Sequence, residues 1–314
     1  MDDNENKKHF GPGFLGAFAT DQRFHDYILR DFCGCGAYGE VWQAEDISGR
    51  RLAIKIVSKQ IYGSGWTREF NGIKNYCRLI SSHPNLIQIM HVGEDDQYFF
   101  YTMELADNLA EPGRAYYADT LADRLAANGP FASDQLVILT QHLLNGIGAL
   151  HQAGLIHRDI KPANIIFING VPKLSDIGFV APRDASISLA GTVGFIPPEE
   201  LLSENGSSSE KNCQYDIYAL GKVMYCALTG LPPDEYPSLP ESISFGLSKR
   251  LNQVICMACC KNPADRIAGV DEFRQLLMAA ANGGEKLERQ KNSKPSADLP
   301  QTPATKKLPP PPLS

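Results

Sequence analysis

His157-Arg158-Asp159-Ile160-Lys161-Pro162-Ala163-Asn164, followed by Ser175-Asp176-Ile177-Gly178, is the stretch on which the reading of this chain turns. Asp159, Lys161, Asn164 and Asp176 fall within eighteen residues, on loops between short apolar runs. Together they supply a candidate base, a cation for a transferred phosphate and two oxygen ligands for magnesium. That ion favours one or two carboxylates completed by substrate phosphates. A random loop rarely carries all four at these spacings.

Two further stations lie upstream. Gly34-Cys35-Gly36-Ala37-Tyr38-Gly39-Glu40-Val41 is a G-x-G-x-x-G-x-V element between two predicted strands. Glycines there let backbone approach phosphates closely. On its own the element equally describes a Gly-rich hairpin turn. A dinucleotide site would need the glycines to open a helix, whereas a strand follows here. A Walker loop is absent. The second station is Ala53-Ile54-Lys55, inside the apolar run Leu52–Val57. Alternation places Ala53, Lys55 and Val57 on one face and Ile54 and Ile56 on the other. Lys55 is then either a solvent-facing residue of an edge strand or a buried ammonium, and burial requires a partner. Glu69, on a predicted helix over roughly 67–80, is the available carboxylate; the alternative is that Arg68-Glu69 is a solvated helix face.

The 314 residues carry 30 Lys plus Arg against 36 Asp plus Glu, and 43% are hydrophobic. This composition suits a folded globular chain with an ample core. The acidic balance argues against a nucleic-acid partner. No window of 18 apolar residues offers a membrane span. Met1-Asp2-Asp3-Asn4-Glu5 lacks the basic-then-apolar pattern of a secretory leader. Eight irregularly spaced cysteines, including the C-x-x-C-C of Cys256, Cys259 and Cys260, read as free thiols in a reducing, cytoplasmic setting. Zinc is disfavoured there because no second ligand pair has finger spacing.

Strand-like runs at 27–31, 41–44, 52–57 and 98–103 dominate the first part of the chain. Helical periodicity dominates the rest, with Ser133 as expected N-cap of a helix carrying Leu136, Leu139, Leu143, Ile147 and Leu150, and further helices over 215–228 and 247–260. From Gly283 to Ser314 there are seven prolines, no aromatic residue, no Ile and no Val, and six basic against three acidic residues. Such a segment buries too little to offset its ordering entropy. Its Leu308-Pro309-Pro310-Pro311-Pro312-Leu313 run would favour polyproline II and suit an SH3- or WW-type groove, or simply be a solvated linker. The expected division is an N-terminal extension 1–23, a domain 24–282 and a disordered tail 283–314.

In order and spacing these stations resemble the protein kinase family from about Tyr27 to Ala281. The family's landmarks appear as the glycine loop, Ala53-Ile54-Lys55, Glu69, the His157–Asn164 run and Asp176-Ile177-Gly178. Further on come Ile196-Pro197-Pro198-Glu199, Asp216-Ile217-Tyr218-Ala219-Leu220-Gly221 and Asn262-Pro263-Ala264-Asp265-Arg266. The compact glycine loop and His83-Pro84-Asn85-Leu86 are most similar to serine/threonine kinases of the bacterial type.

The resemblance implies an α+β, bilobal protein-kinase-like fold. A small antiparallel sheet lobe with one helix (24–103) would precede a larger, mostly helical lobe (104–282). It implies ATP and Mg2+ as cofactors and Ser/Thr hydroxyls of proteins as acceptors. Lys55 would hold the α- and β-phosphates and pair with Glu69. Asp159 would take the acceptor's proton, Asn164 and Asp176 would bind magnesium, and Lys161 would steady the γ-phosphate. Met103 would be the gatekeeper, with Glu104 to Ala106 as the hinge that meets adenine. Val41, Ala53 and Ile166 would sandwich the ring beneath a loop comprising Gly34, Cys35, Gly36, Ala37, Tyr38 and Gly39. Arg158 would receive a phosphate on the activation segment 176–199, at Ser186 or Ser188, while Thr192 would belong to the substrate platform. Glu199 would pair with Arg266, and Asp216 would be a buried structural aspartate.

Two departures stand out. Ile177 replaces the family's usual Phe, an aliphatic swap of a kind that often costs less than about 1.5 kcal/mol; activity is expected, with an altered off-state. Pro197 replaces Ala, for which there is no physical account. Two rivals remain. A pseudokinase scaffold would lack Lys55, Asp159 or Asp176. A small-molecule phosphotransferase would lack Arg158, Lys161 and the Pro-Glu platform.

Overall fold

The apolar run around Lys55 lies in the middle of a sheet, not at its edge. In the computed structural model, which describes residues 16–36, 39–61, 65–182, 191–202, 209–243 and 245–283, the first part of the chain forms a six-stranded antiparallel sheet. Its strands are β1 (Arg23–Phe24), β2 (Tyr27–Gly36), β3 (Gly39–Glu45), β4 (Arg51–Ser58), β5 (Ile89–Glu94) and β6 (Tyr98–Met103), in the spatial order β1-β2-β3-β4-β6-β5. Helix α1 (Gly65–Leu79) crosses between β4 and β5.

Both faces of β4 are covered, as its near-continuous apolar run requires. Leu52, Ile54 and Ile56 join Leu29, Trp42 and Phe100 in one small core. Val57 turns the other way, into the core that holds Ile73 and Tyr76 of α1. The predicted alternation is therefore observed, and it leaves Ala53 and Lys55 facing the second lobe.

That lobe is helical: α2 (Leu121–Asn128), α3 (Ser133–Gln152), α4 (Pro198–Leu202), α5 (Ser209–Thr229), α6 (Gly246–Ala258) and α7 (Val270–Ala281). Two short antiparallel ladders complete it, β7 (Leu155–Ile156) with β10 (Ala181–Pro182) and β8 (Ile165–Ile168) with β9 (Val171–Leu174). Leu136, Leu139, Leu143, Ile147 and Leu150 of α3 are all buried, as their three- and four-residue spacing predicts. Among the described residues no helix is long and apolar enough to cross a membrane.

One local expectation is corrected. Ser133 is the first helical residue rather than the N-cap; the extended residue before the helix is Ala132, whose side chain cannot cap. The side-chain cap occurs instead at α2, where Thr120 accepts the backbone N–H of Asp123. Residues 1–15, Ala37, Tyr38, Ser186, Ser188 and 284–314, and with them the expected phosphorylation sites and proline-rich tail, lie outside the described residues.

Candidate active site

Lys55 is 3% exposed, and its ammonium stands 2.7 Å from Glu69 Oε1 and 2.9 Å from Asp176 Oδ1. A buried cation between two carboxylates is the arrangement that keeps such a charge in place. Burial acts to discharge the ammonium, yet Asp176 and Glu69 outweigh it and hold its pKa well above the usual lysine value. Burial pushes the Glu69 carboxyl up, with Lys55 opposing. For Asp176 the balance is reversed: burial would raise its pKa, but Lys55 brings it below the usual carboxylate range. The Tyr101 hydroxyl donates to Glu69 Oε1 at 3.0 Å and fixes its orientation.

Glycine makes this approach possible. A Cβ on Gly178 would lie 2.7 Å from Cγ of Glu69, and one on Gly72 of α1 would lie 2.6 Å from the Gly178 carbonyl oxygen. Helix α1 and the Asp176-Ile177-Gly178 turn therefore meet backbone to backbone. Ile177 is 1% exposed, in the same core as Ile73 of α1, so the aliphatic side chain fills the place expected of Phe.

Across the cleft, Asp159 is 3% exposed and fully engaged. The Thr192 hydroxyl donates to its Oδ1 at 2.9 Å, while Oδ2 accepts from Asn164 Nδ2 at 2.7 Å and lies 2.9 Å from Lys161 Nζ. Lys161 also donates to Thr192 Oγ1 at 2.7 Å. Thr192 is thus joined to both Asp159 and Lys161 in one hydrogen-bond network. Asn164 gives its amide protons to Asp159 Oδ2 and to the Asp159 carbonyl, which leaves the amide oxygen as an acceptor. That oxygen and the Asp176 carboxylate are hard ligands of the kind magnesium takes. Among the described residues no cluster of three His, Cys, Asp or Glu could hold a metal by itself.

Between the two sides lies a cleft of about 200 Å3 lined by Gly34, Cys35, Val41, Ala53, Lys55, Met103, Glu104, Ala106, Asn164, Ile166 and Asp176, all expected from sequence. Strand register explains the assembly: Val41 faces Gly34 on one side and Lys55 on the other, and Ala53 faces Met103. The Glu104 side chain turns away to Lys173, 2.7 Å off. Tyr116 and Thr120 also line the cleft and were not foreseen. Tyr116 sits in the 107–119 segment, pinned by the Asn108–Ala118 bridge and by the Asp119–Arg124 ion pair. Its hydroxyl donates to the Ala106 carbonyl at 3.0 Å.

The loop carrying Asp159 hangs from Asp216, which is fully buried. Asp216 accepts the backbone N–H of His157 through Oδ2 and that of Arg158 through Oδ1, each at 2.9 Å. The second contact holds Arg158 at φ 73, a left-handed conformation unusual for a non-glycine residue. His151 adds a third contact to Asp216 at 2.8 Å. Burial works against its charge, but hydrogen bonds with Asp216 and Cys213 raise its pKa to about 9. A folded-state pKa above the unfolded value near 6.5 means stability fully present below pH 6.5 and lost as pH rises through 9. The stability difference between the parent and His151→Gln should therefore shrink from pH 6.5 to pH 9.5, from a starting size on the order of 3 kcal/mol in denaturant melts. Further out, Arg266 is fully buried and meets Glu199 bidentately at 2.6 and 3.0 Å.

The family model for the protein kinase domain matches residues 27–277, well over half of the chain. The chain belongs to the protein kinase family. The two lobes are those of the kinase fold, and the cleft between them is where the kinase motifs converge. Among curated relatives, serine/threonine-protein kinase PknB of Mycobacterium leprae is 29% identical over 280 residues, 82% of this chain and 43% of the relative. PknE of Mycobacterium tuberculosis is 29% identical over 277 residues, 82% of this chain and 46% of that protein. A calcium/calmodulin-dependent protein kinase type 1 of Macrobrachium nipponense is 28% identical over 215 residues, 66% of this chain and 57% of the relative. This kinase chain spans about half the length of the curated relatives it matches.

Proposed function

We propose that this chain is a Mg2+- and ATP-dependent protein serine/threonine kinase. The observation that carries the reading is the pairing of Lys55 with Glu69 and Asp176 on one wall of the cleft, opposite the Asp159–Lys161–Asn164–Thr192 network on the other. In this reading Lys55, held charged and immobile, binds the α- and β-phosphates. Asp159 accepts the proton of the incoming hydroxyl, and Lys161 meets the γ-phosphoryl as it moves. Asn164 and Asp176 hold magnesium, which when bound neutralises charge on the phosphates. Adenine lies between Ala53, Val41 and Ile166 and reads the Glu104–Ala106 backbone, which Tyr116 steadies through the Ala106 carbonyl. Catalysis is then positioning plus electrostatic stabilisation, at roughly 1–100 turnovers per second for a typical member.

Finer elements belong to the same proposal. Arg158 is buried, and burial together with nearby Arg68 depresses its pKa. A phosphate on the activation segment, at Ser186 or Ser188, would meet that basic pair and order the segment. The kinase domain occupies 24–282, works in the cytoplasm on protein substrates, and is followed by a proline-rich tail that suits an SH3- or WW-type partner. Every residue whose loss would define a pseudokinase is in place, which supports transfer over mere scaffolding.

The test pairs binding with transfer. Mg·ATP at 100 times its dissociation constant should stabilise the protein by about 2.7 kcal/mol in thermal melts, and label from [γ-32P]ATP should reach serine and threonine of casein or myelin basic protein. Binding without transfer would favour the pseudokinase, and label on an aminoglycoside or choline instead of protein would favour the small-molecule enzyme.

A further inference from the structure

The carboxylate that suspends the Asp159 loop belongs to a second constellation. Cys213 and Asp216 lie three residues apart on α5, so both project from one face of that helix. They meet the same imidazole. His151, in the last turn of α3, bonds to Asp216 Oδ2 at 2.8 Å and also to the Cys213 thiol. A thiol, an imidazole and a carboxylate in that order are the parts of an activated nucleophile, whose basic group is oriented by a third side chain. The kinase reading uses Asp216 as an anchor for backbone and gives Cys213 no part.

A cavity of about 650 Å3 gives access to the pair. His151 and Cys213 both line it, together with His83, Asn145 and Arg274, between α3, the start of α7 and the turn at 83–84. It shares no lining residue with the nucleotide cleft. Arg274 is held there by Asn145 and Asp271, at 3.1 and 3.2 Å, and adds a second cation to the imidazolium. An electropositive recess that reaches a sulfur is the setting of reactive cysteines. Two other buried thiols are set differently. Burial pushes the Cys226 thiol up to about 11 and raises that of Cys259 further, and Cys259 donates to the Tyr218 carbonyl. Those two are protonated, inert core groups.

We propose that Cys213 is a peroxide-sensitive thiol whose oxidation lowers phosphoryl transfer by disturbing the Asp216 anchor. The oxidant is a small hydroperoxide such as hydrogen peroxide. The Cys213 thiolate attacks one peroxide oxygen, so that an S–O bond forms and the O–O bond breaks. Hydroxide leaves, takes the His151 proton and departs as water. Sulfur is thereby oxidised by two electrons to the sulfenic acid, and the peroxide is reduced. No second cysteine lines the cavity to condense with it. The sulfenic acid therefore persists until two equivalents of a small thiol return it to Cys213, through a mixed disulfide and water.

The added oxygen enters space packed for sulfur between α3 and α5 and competes with Asp216 for the imidazole N–H. Asp216 carries the His157 and Arg158 N–H groups on the same carboxylate, so the change reaches the loop that holds Asp159. The modification stands apart from the kinase reading; its effect on transfer rests on that reading.

In the experiment the full chain meets a small excess of hydrogen peroxide, dimedone traps sulfenic acid, and mass spectrometry compares Cys213 with the exposed Cys77 and Cys256. Cys213 should acquire the adduct first despite its burial. His151→Gln should slow labelling of Cys213 by about tenfold or more and leave Cys77 and Cys256 unchanged. In parallel, peroxide should lower kcat for casein several-fold with KM for ATP unchanged, and dithiothreitol should restore it. Cys213→Ser and Cys213→Ala, each measured against its own activity before treatment, should be insensitive. Adduct on Cys77 or Cys256 ahead of Cys213, or undiminished labelling of Cys213 in His151→Gln, means that exposure alone governs the reaction and overturns the site. Adduct on Cys213 with kcat unchanged, or an equal loss in the Cys213 variants, overturns the regulatory effect. Absence of transfer before treatment overturns the kinase reading and that effect with it, while the labelling still decides the thiol.

Discussion

Asp159→Asn should lose transfer by roughly 10²- to 10⁴-fold, the range contributed by a positioned general base, while binding Mg·ATP with nearly the parent's thermal stabilisation. The substitution keeps the size of the side chain and its ability to bond Thr192 through the amide oxygen, but it removes the group that can take the acceptor's proton. Asp159 lies outside the lining of the nucleotide cleft, so loss should fall on kcat rather than on KM for ATP. Asp176→Ala separates the two ends of the site. It removes the proposed magnesium ligand together with a partner of Lys55, and should abolish transfer while also weakening Mg·ATP binding in the same melts. Parent-like kcat in Asp159→Asn would show that the proton goes elsewhere.

Lys55→Met is expected to destabilise as well as inactivate. Removing the ammonium leaves Glu69, 1% exposed, and Asp176 facing each other without the charge that separates them. Breaking a buried pair by deleting one partner typically costs about 3–5 kcal/mol. Part of that cost can be relieved by protonating Glu69, whose pKa is already raised by burial. A carboxyl with a folded-state pKa above its unfolded value destabilises more as pH rises, so the deficit of Lys55→Met should be smallest near pH 5 and grow toward pH 8 in denaturant melts. Lys55→Met/Glu69→Gln should recover much of the stability and none of the transfer. A pH-independent deficit would mean that the pair is not what the missing charge disturbs.

The parts of the site legible in the sequence are those where chemistry and packing demand one residue type. Lys55 meets Glu69 as the family resemblance implied, and the central position of its strand settles the choice that the sequence left open between a solvent-facing and a buried lysine; its contact with Asp176 was not expected. The pairing of Glu199 with Arg266 and the burial of Asp216 were legible only through the family resemblance, and the bonds of Asp216 to the His157 and Arg158 backbone were not foreseen. Strand β5 was missed because Ile89 to Glu94 has mostly exposed or half-buried residues and a glycine where Phe100 packs, so no alternation marks it. Tyr116 was missed because Asn108 to Ala118 is a polar, Gly- and Pro-containing stretch whose fold depends on contacts with Ala106 and α2, not on local pattern. Thr192 was named from the sequence, but its bond to Asp159, across a sequence separation of 33 residues, was not foreseen. His151 gave no signal because its partner lies on another helix.

The backbone contact between Gly72 and Gly178 has a mechanical result. With no side chains to act as a cushion, α1 and the Asp176-Ile177-Gly178 turn engage like two cogs, so neither can rotate far while the other stays still. A compound wedged beside either one would be felt at both, and switching in this protein should go by a single snap rather than by two separable steps.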